Sequence, residues 1–278
     1  MTVTSYELRD IYGNTFLCNH TDEYDTQDPT FIKHRIEVGS SHMSDPCVKI
    51  SIKEQANSFR VWVDDFYSHP KCSQGENLPR GERGTQSMLL CALQMVEQLY
   101  PDCVEFKLQD SSYPKDGSEN VSLADIYMLT RGKSWYESFL NVKPLRDDQG
   151  TLVRNYKRVV NQIMTTLYNE LIRKSFGGKT IYEANIKETW QKCYGKCKWY
   201  EFLKELSDNN GNAFLVKHME GITDMLNVGP LDGVVWKGNL SEQEERLEEL
   251  RIYSTVKRFG QRGGGRRIRR GITIDEIM

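Results

Sequence analysis

No apolar run in this 278-residue chain extends beyond a few residues, whereas a helix needs about 20 to cross a bilayer. The opening Met-Thr-Val-Thr-Ser-Tyr-Glu-Leu lacks the basic-then-apolar layout of a secretory signal, so secretion is not expected. The histidines (His20, His34, His42, His69 and His218) show no H-E-x-x-H or comparable metal-binding spacing. A Gly-x-Ser-x-Gly elbow, a complete P-loop and a dinucleotide fingerprint are missing too, which leaves hydrolase and nucleotide-hydrolysing readings without support. Cysteine is odd in number and scattered (Cys18, Cys47, Cys72, Cys91, Cys103, Cys193, Cys197). That pattern suits free thiols in a reducing, intracellular compartment better than a disulfide framework. Cys91 lies on an apolar helix face and reads as a small core residue. Cys193 and Cys197, flanked by Lys192, Lys196 and Lys198, could open a zinc site. Zinc needs four ligands, His218 stands alone downstream, and no second cysteine pair exists, so structural thiols and no metal are expected.

What is present is an ordinary globular composition, 38% hydrophobic and 27% charged, in a chain long enough for one large domain or two smaller ones. A net charge of −2 conceals an uneven distribution. Residues 241–250 hold five Glu and one Arg, and residues 257–270 hold seven basic residues and no acidic one. The guanidinium groups of Arg262, Arg266, Arg267, Arg269 and Arg270 sit in a flexible Arg/Gly run that can engage phosphates or stack on bases. Nucleic-acid contact is one expectation for this tail. The others are a solvated charge run and a segment lying across an acidic partner, the preceding Glu-rich helix included. Ile272, Ile274 and Ile277 beyond it read as a short docking segment for a neighbouring subunit.

The first 45 residues carry little periodicity apart from a strand over Thr30–Val38. Val48, Ile50 and Ile52, then Phe59, Val61 and Val63, alternate with polar residues as strands do, and the short Glu54–Ser58 link makes them a hairpin. Pro70, Gly75, Pro79, Gly81 and Gly84 mark a loop. Met88, Leu89, Ala92, Met95, Val96 and Leu99 then recur at helical spacing, and Pro101 ends a helix over Gln86–Leu99. Val104, Phe106 and Leu108 predict a further strand, and Ser122 caps a short helix to about Leu129. A helical stripe is predicted from Leu152 to Leu171, closed by Gly177-Gly178, with more helices over Tyr182–Lys192, Trp199–Leu206 and Ala213–Leu226. Ser241 with Glu244 reads as a capping box. The expected organisation is an α/β domain (1–148), a helical domain (149–256) and a basic tail (257–278). Gly132–Leu140 and Gly195–Leu203 echo one another, but their flanks do not match.

The strand, loop, helix, strand order of Val48–Asp110, with Arg80-Gly81-Glu82-Arg83-Gly84-Thr85 at the helix entrance and Met88-Leu89 beyond it, resembles the central part of the GNAT-type N-acetyltransferase fold. In that family a Gln/Arg-x-x-Gly-x-Gly/Ala loop grips the pyrophosphate of acetyl-CoA with backbone N–H groups at a helix N-terminus. Arg80 matches the first position, while Arg83 and Thr85 replace the two glycines and Gly84 falls between them. The resemblance implies an α+β fold and acetyl-CoA held at Arg80, Arg83, Gly84, Thr85 and Gln86. It also implies a base at Asp64 or Asp65 that removes a proton from the attacking amine. The family's tyrosine, general acid toward the departing thiolate, corresponds to Tyr127, with Tyr136 as rival. Each tyrosine reads equally as a core aromatic with a bonded hydroxyl. Gly132–Leu140 also resembles a segment of proteins of large DNA viruses, which implies a host-cytoplasm or virion setting. Two functions follow: a GNAT-like scaffold that binds or assembles through its helical half without efficient catalysis, or an acyl-CoA-dependent N-acyltransferase.

Overall fold

The computed structural model describes residues 2–9, 15–24, 31–40, 46–55, 58–66, 82–109, 122–178, 182–243 and 255–259. The fold is α+β, with a mixed sheet and seven helices among these residues. The chain divides into two compact units, Met1–Leu108 with Phe139–Asn141 and Lys237–Met278, and Gln109–Ser138 with Val142–Trp236. The boundary expected near residue 148 falls inside a helix, because Asp147, Asp148, Gln149 and Gly150 form the polar first turn of α3 (Asp147–Val160).

In the first unit, β1 (Thr2–Arg9), β2 (Thr15–Tyr24), β3 (Phe31–Ser40), β4 (Val48–Gln55) and β5 (Ser58–Phe66) form an antiparallel meander. Helix α1 (Glu82–Leu99) then carries the chain to β6 (Glu105–Gln109), which pairs parallel to β5 over Val61–Val63 and Phe106–Leu108. A parallel neighbour requires such a crossover, since a tight hairpin can only reverse direction. β8 (Val235–Asn239) follows β6 in the sheet, and β9 (Thr255–Phe259) pairs antiparallel to β1 at the far side. Lys257 and Arg258, assigned from sequence to the basic tail, therefore belong to a strand. Alternation puts Phe16, Cys18, Ile36, Val38, Ile50, Ile52, Val61, Val63, Phe106 and Leu108 on one buried face, and Met88, Leu89, Ala92, Met95 and Val96 of α1 are buried as well. Inside this unit, buried Gln243 accepts from Asn141 N (3.0 Å) and donates to Asn141 O (3.1 Å) and Asn239 O (2.8 Å).

The second unit is mainly helical: α2 (Leu123–Arg131), α3, α4 (Tyr168–Ser175), α5 (Glu183–Cys193), α6 (Trp199–Asn210) and α7 (Asn212–Leu226), with the short strand β7 (Val142–Pro144). Ser122 caps α2 as expected, its Oγ accepting from Asp125 N at 3.1 Å. Gly132 ends that helix in the left-handed region (φ 69°). The stripe predicted from Leu152 to Leu171 is interrupted at 161–167, where tertiary pairing displaces helix. Met164 N donates to Cys197 O, Gly195 N to Met164 O and Trp199 N to Gln162 O, each within 3.0 Å. The internal echo has a local cause. Ser134 N and Lys198 N each donate to the carboxylate three residues on, Glu137 at 3.2 Å and Glu201 at 2.7 Å; Ser134 Oγ also accepts from Glu137 N at 3.3 Å to complete a capping box, whereas the Lys198 ammonium has no acceptor to offer.

Among the described residues no helix is long and apolar enough to cross a membrane. Cys18, Cys91, Cys103, Cys193 and Cys197 are free, but Cys47 is disulfide-bonded, which corrects the all-thiol expectation. Odd number and scattered spacing say nothing about which thiols folding brings together.

Candidate functional site

The strand–helix–strand segment β5–α1–β6 carries Asp64, Asp65 and the Arg83–Gln86 stretch singled out by the family resemblance. Helix α1 begins at Glu82 rather than Gln86, so Arg83, Gly84 and Thr85 lie in its first turn and not in a loop. First-turn N–H groups have no partner within their own helix, and this end carries the positive pole of the dipole. Arg80 lies outside the described residues, as do the side chains of Arg83 and Thr85; Gln86 is half-buried. Asp64 is exposed and accepts a hydrogen bond from Ser51. It alternates with Val61 and Val63 and so faces away from α1, on the same side as Trp62 and Ser51. Asp65 stands opposite Lys49, beside a bulge at Lys49/Ile50, and its side chain lies outside the described residues.

Tyr127 belongs to the second unit, on α2. It is buried, with the Arg131 guanidinium 4.2 Å from its ring centroid and Trp135 edge-on at 6.4 Å. Tyr136 is buried against Trp135 (5.4 Å) and Trp236 (6.0 Å). Both tyrosines thus have the aromatic packing of a core. Burial, followed by the neighbouring Cys197, pushes the Cys193 thiol up to about 12, so it stays protonated at neutral pH. Arg262, Arg266, Arg267, Arg269 and Arg270 lie outside the described residues, as does Glu244 of the expected capping box.

Among the described residues of the first unit, a polar cluster that spacing does not reveal forms around two histidines. His20 and Asp22, two apart on β2, share a face, and the β2–β3 register sets His34 opposite Asp22. Glu54 comes from β4, and Tyr100 follows directly on α1. His34 Nδ1 lies 2.7 Å from Asp22 Oδ1, and its Nε2 lies 3.1 Å from Glu54 Oε2. His20 Nε2 lies 3.2 Å from Asp22 Oδ1 and 2.5 Å from Tyr100 Oη. His20 stacks on His34 at 6.0 Å, and the Tyr100 ring lies tilted against His34 at 4.8 Å. The side chains of His20 and His34 are only 12% and 9% exposed. Burial lowers the His20 pKa against the pull of Asp22, leaving it neutral at neutral pH. Burial also pulls His34 down, but the hydrogen bonds with Asp22 and Glu54 outweigh it and the net shift is upward. Burial, then Asp22 and Glu54, raise Tyr100, which keeps its proton.

The sequence signal for this cluster was weak. His20 and Asp22 are spaced as on a strand, but His34 and Glu54 join them only through register across three strands.

No protein-family model matches this chain, and comparison with curated proteins and with solved structures finds no significant similarity.

Proposed function

We propose that this protein is a divergent GNAT-like scaffold that acts by binding or assembly through its helical unit, without efficient catalysis. The observation that carries this reading is an apolar surface on that unit. Leu167 is 61% exposed, and with Tyr168, Asn169, Glu170, Arg173 and Trp190 it lines an open groove of about 480 Å³. Trp190 is held in place by its indole N–H donating to Thr166 O at 2.9 Å, and it packs on Tyr168 (5.6 Å) and Tyr194 (4.9 Å). Ile163 and Tyr194 are also exposed. An exposed leucine beside the half-buried rings of Tyr168 and Trp190 offers the apolar and aromatic contact that interaction sites use. Asp64 turned away from α1 and a tyrosine packed as core support the non-catalytic half of the reading.

Sedimentation velocity across a concentration series tests the assembly half. Wild type is expected to associate as concentration rises, and Leu167→Glu to shift that association at least tenfold higher, since a charge in an apolar contact costs more than about 1.4 kcal/mol. A wild type that stays monomeric and a variant indistinguishable from it would overturn self-assembly.

The alternative, an acyl-CoA-dependent N-acyltransferase, is favoured by one feature. β5 and β6 pair in parallel over Val61–Val63 and Phe106–Leu108 with α1 as the crossover between them, which is the strand, helix, strand order on which the family resemblance rests. Calorimetry with acetyl-CoA separates the two readings. The scaffold reading expects no binding heat. Micromolar binding abolished by Arg83→Glu would instead put the pyrophosphate at α1 and favour the enzyme.

A further inference from the structure

We propose that His20, Asp22 and His34 bind a divalent transition-metal ion, with the fourth position left to a water or an exogenous ligand and Glu54 as the carboxylate behind His34. The ligand atoms of His20, Asp22 and His34 all lie within 4.8 Å of one another, and Tyr100 Oη lies 2.5 Å from His20 Nε2. Tetrahedral ligands at zinc-like bond lengths stand about 3.4 Å apart. The separations found here, 2.7 Å from Asp22 Oδ1 to His34 Nδ1 and 3.2 Å from Asp22 Oδ1 to His20 Nε2, need only small side-chain rotations to reach that spacing.

The surroundings are those of a metal site. Glu54 Oε2, 3.1 Å from His34 Nε2, accepts a hydrogen bond from the far ring nitrogen in the tautomer that leaves Nδ1 as the coordinating atom. A carboxylate behind a ligating imidazole is the usual second layer of such sites. With Nε2–H committed to Glu54, a neutral His34 turns a lone pair toward the Asp22 oxygen only 2.7 Å away. Two lone pairs at that separation repel unless a positive charge joins them. The two imidazoles are largely buried, while Asp22 and Glu54 are half-buried at the rim of the cluster.

Two imidazole nitrogens and a carboxylate oxygen suit zinc or another first-row divalent ion, not calcium or magnesium, which take oxygen ligands. The site is independent of the α1 N-terminus. Glu54 stands opposite Phe59 at the start of β5, five residues from Asp64, which is about 17 Å along an extended strand.

The test is calorimetric titration of the chelator-stripped full chain with zinc chloride, together with the visible spectrum of the cobalt(II)-loaded protein. One zinc per chain is expected. His20→Ala should weaken binding more than about a hundredfold, and Glu54→Gln by roughly ten- to a hundredfold, the scale of losing a carboxylate behind a ligand. Circular dichroism of each variant shows whether the sheet persists, and the wild-type titration stands whatever the variants do. The cobalt spectrum should show tetrahedral intensity without a thiolate charge-transfer band. Absence of zinc binding to wild type would overturn the proposal, leaving His34 as an imidazolium bridging two carboxylates. Equal affinity in wild type and His20→Ala, or a thiolate band placing the ion at Cys193 and Cys197, would overturn it as well.

Discussion

Asp125→Ala is expected to destabilise the protein by about 2–4 kcal/mol, because it strands buried donors that only this carboxylate serves. Asp125 sits on α2 in the helical unit, 4% exposed. It accepts from Leu231 N at 3.1 Å, a partner 106 residues away, and from Ser122 Oγ at 2.8 Å. The wholly buried Tyr156 directs its hydroxyl at the same carboxyl without reaching hydrogen-bond geometry. One side chain thus ties the cap of α2 to the segment before β8. Asp125→Asn keeps an acceptor for Leu231 N and should cost less than about 1 kcal/mol by urea unfolding at neutral pH. Equal losses in both variants would show that the bonds to this group do not hold the segment.

The same residue carries a pH signature. Burial raises the Asp125 pKa above 3.8, and hydrogen bonds from Ser122 and Leu231 offset only part of that. A carboxyl whose folded pKa exceeds its unfolded value favours the folded state most when protonated. Its contribution is therefore full below 3.8, declines as pH rises through the folded value, and is level above it. The stability of wild type relative to Asp125→Asn should fall across that window. A margin that grows with pH there would reverse the sign and refute the assignment.

Gly221 offers the second large effect. A Cβ built on it, midway along α7, would lie 2.6 Å from Ser175 O and 3.0 Å from Lys174 O, in the last turn of α4. These are backbone atoms of a packed helix, so they cannot swing aside as a side-chain tip can. Alanine would gain about 1 kcal/mol of helix propensity. The forced separation of the two helices should outweigh it, for a net loss of about 1–2 kcal/mol, and Gly221→Val should lose 3 or more. Gly229→Ala is the contrasting control, since its Cβ would meet only the flexible end of Leu152 at 3.1 Å. Thermal unfolding of the three variants decides the matter. A Gly221→Ala protein more stable than wild type would show that α4 and α7 can part at no cost.

The amino-acid sequence by itself determined the elements whose hydrophobic period is complete. Ile50, Ile52, Val61 and Val63 placed the β4–β5 hairpin, and Met88 to Leu99 placed α1. The predicted helix over Tyr182–Lys192 is found as α5, Glu183–Cys193. Periodicity is a local property, so it is legible one residue at a time. Strand β2 was hidden for the same reason: its core-facing positions pass from Phe16 and Cys18 to His20 and Asp22, and the apolar alternation ends where the polar cluster begins. The tertiary structure alone decided the break in the stripe at 161–167, where Met164 pairs with residues more than 30 positions away. It alone brought His34 and Glu54 to His20 and Asp22, since side chains from three strands converge only through cross-strand register. The partner of Asp125 at Leu231 belongs to the same class. Contacts between distant positions leave no period in a sequence, because their geometry exists only after the chain has closed on itself.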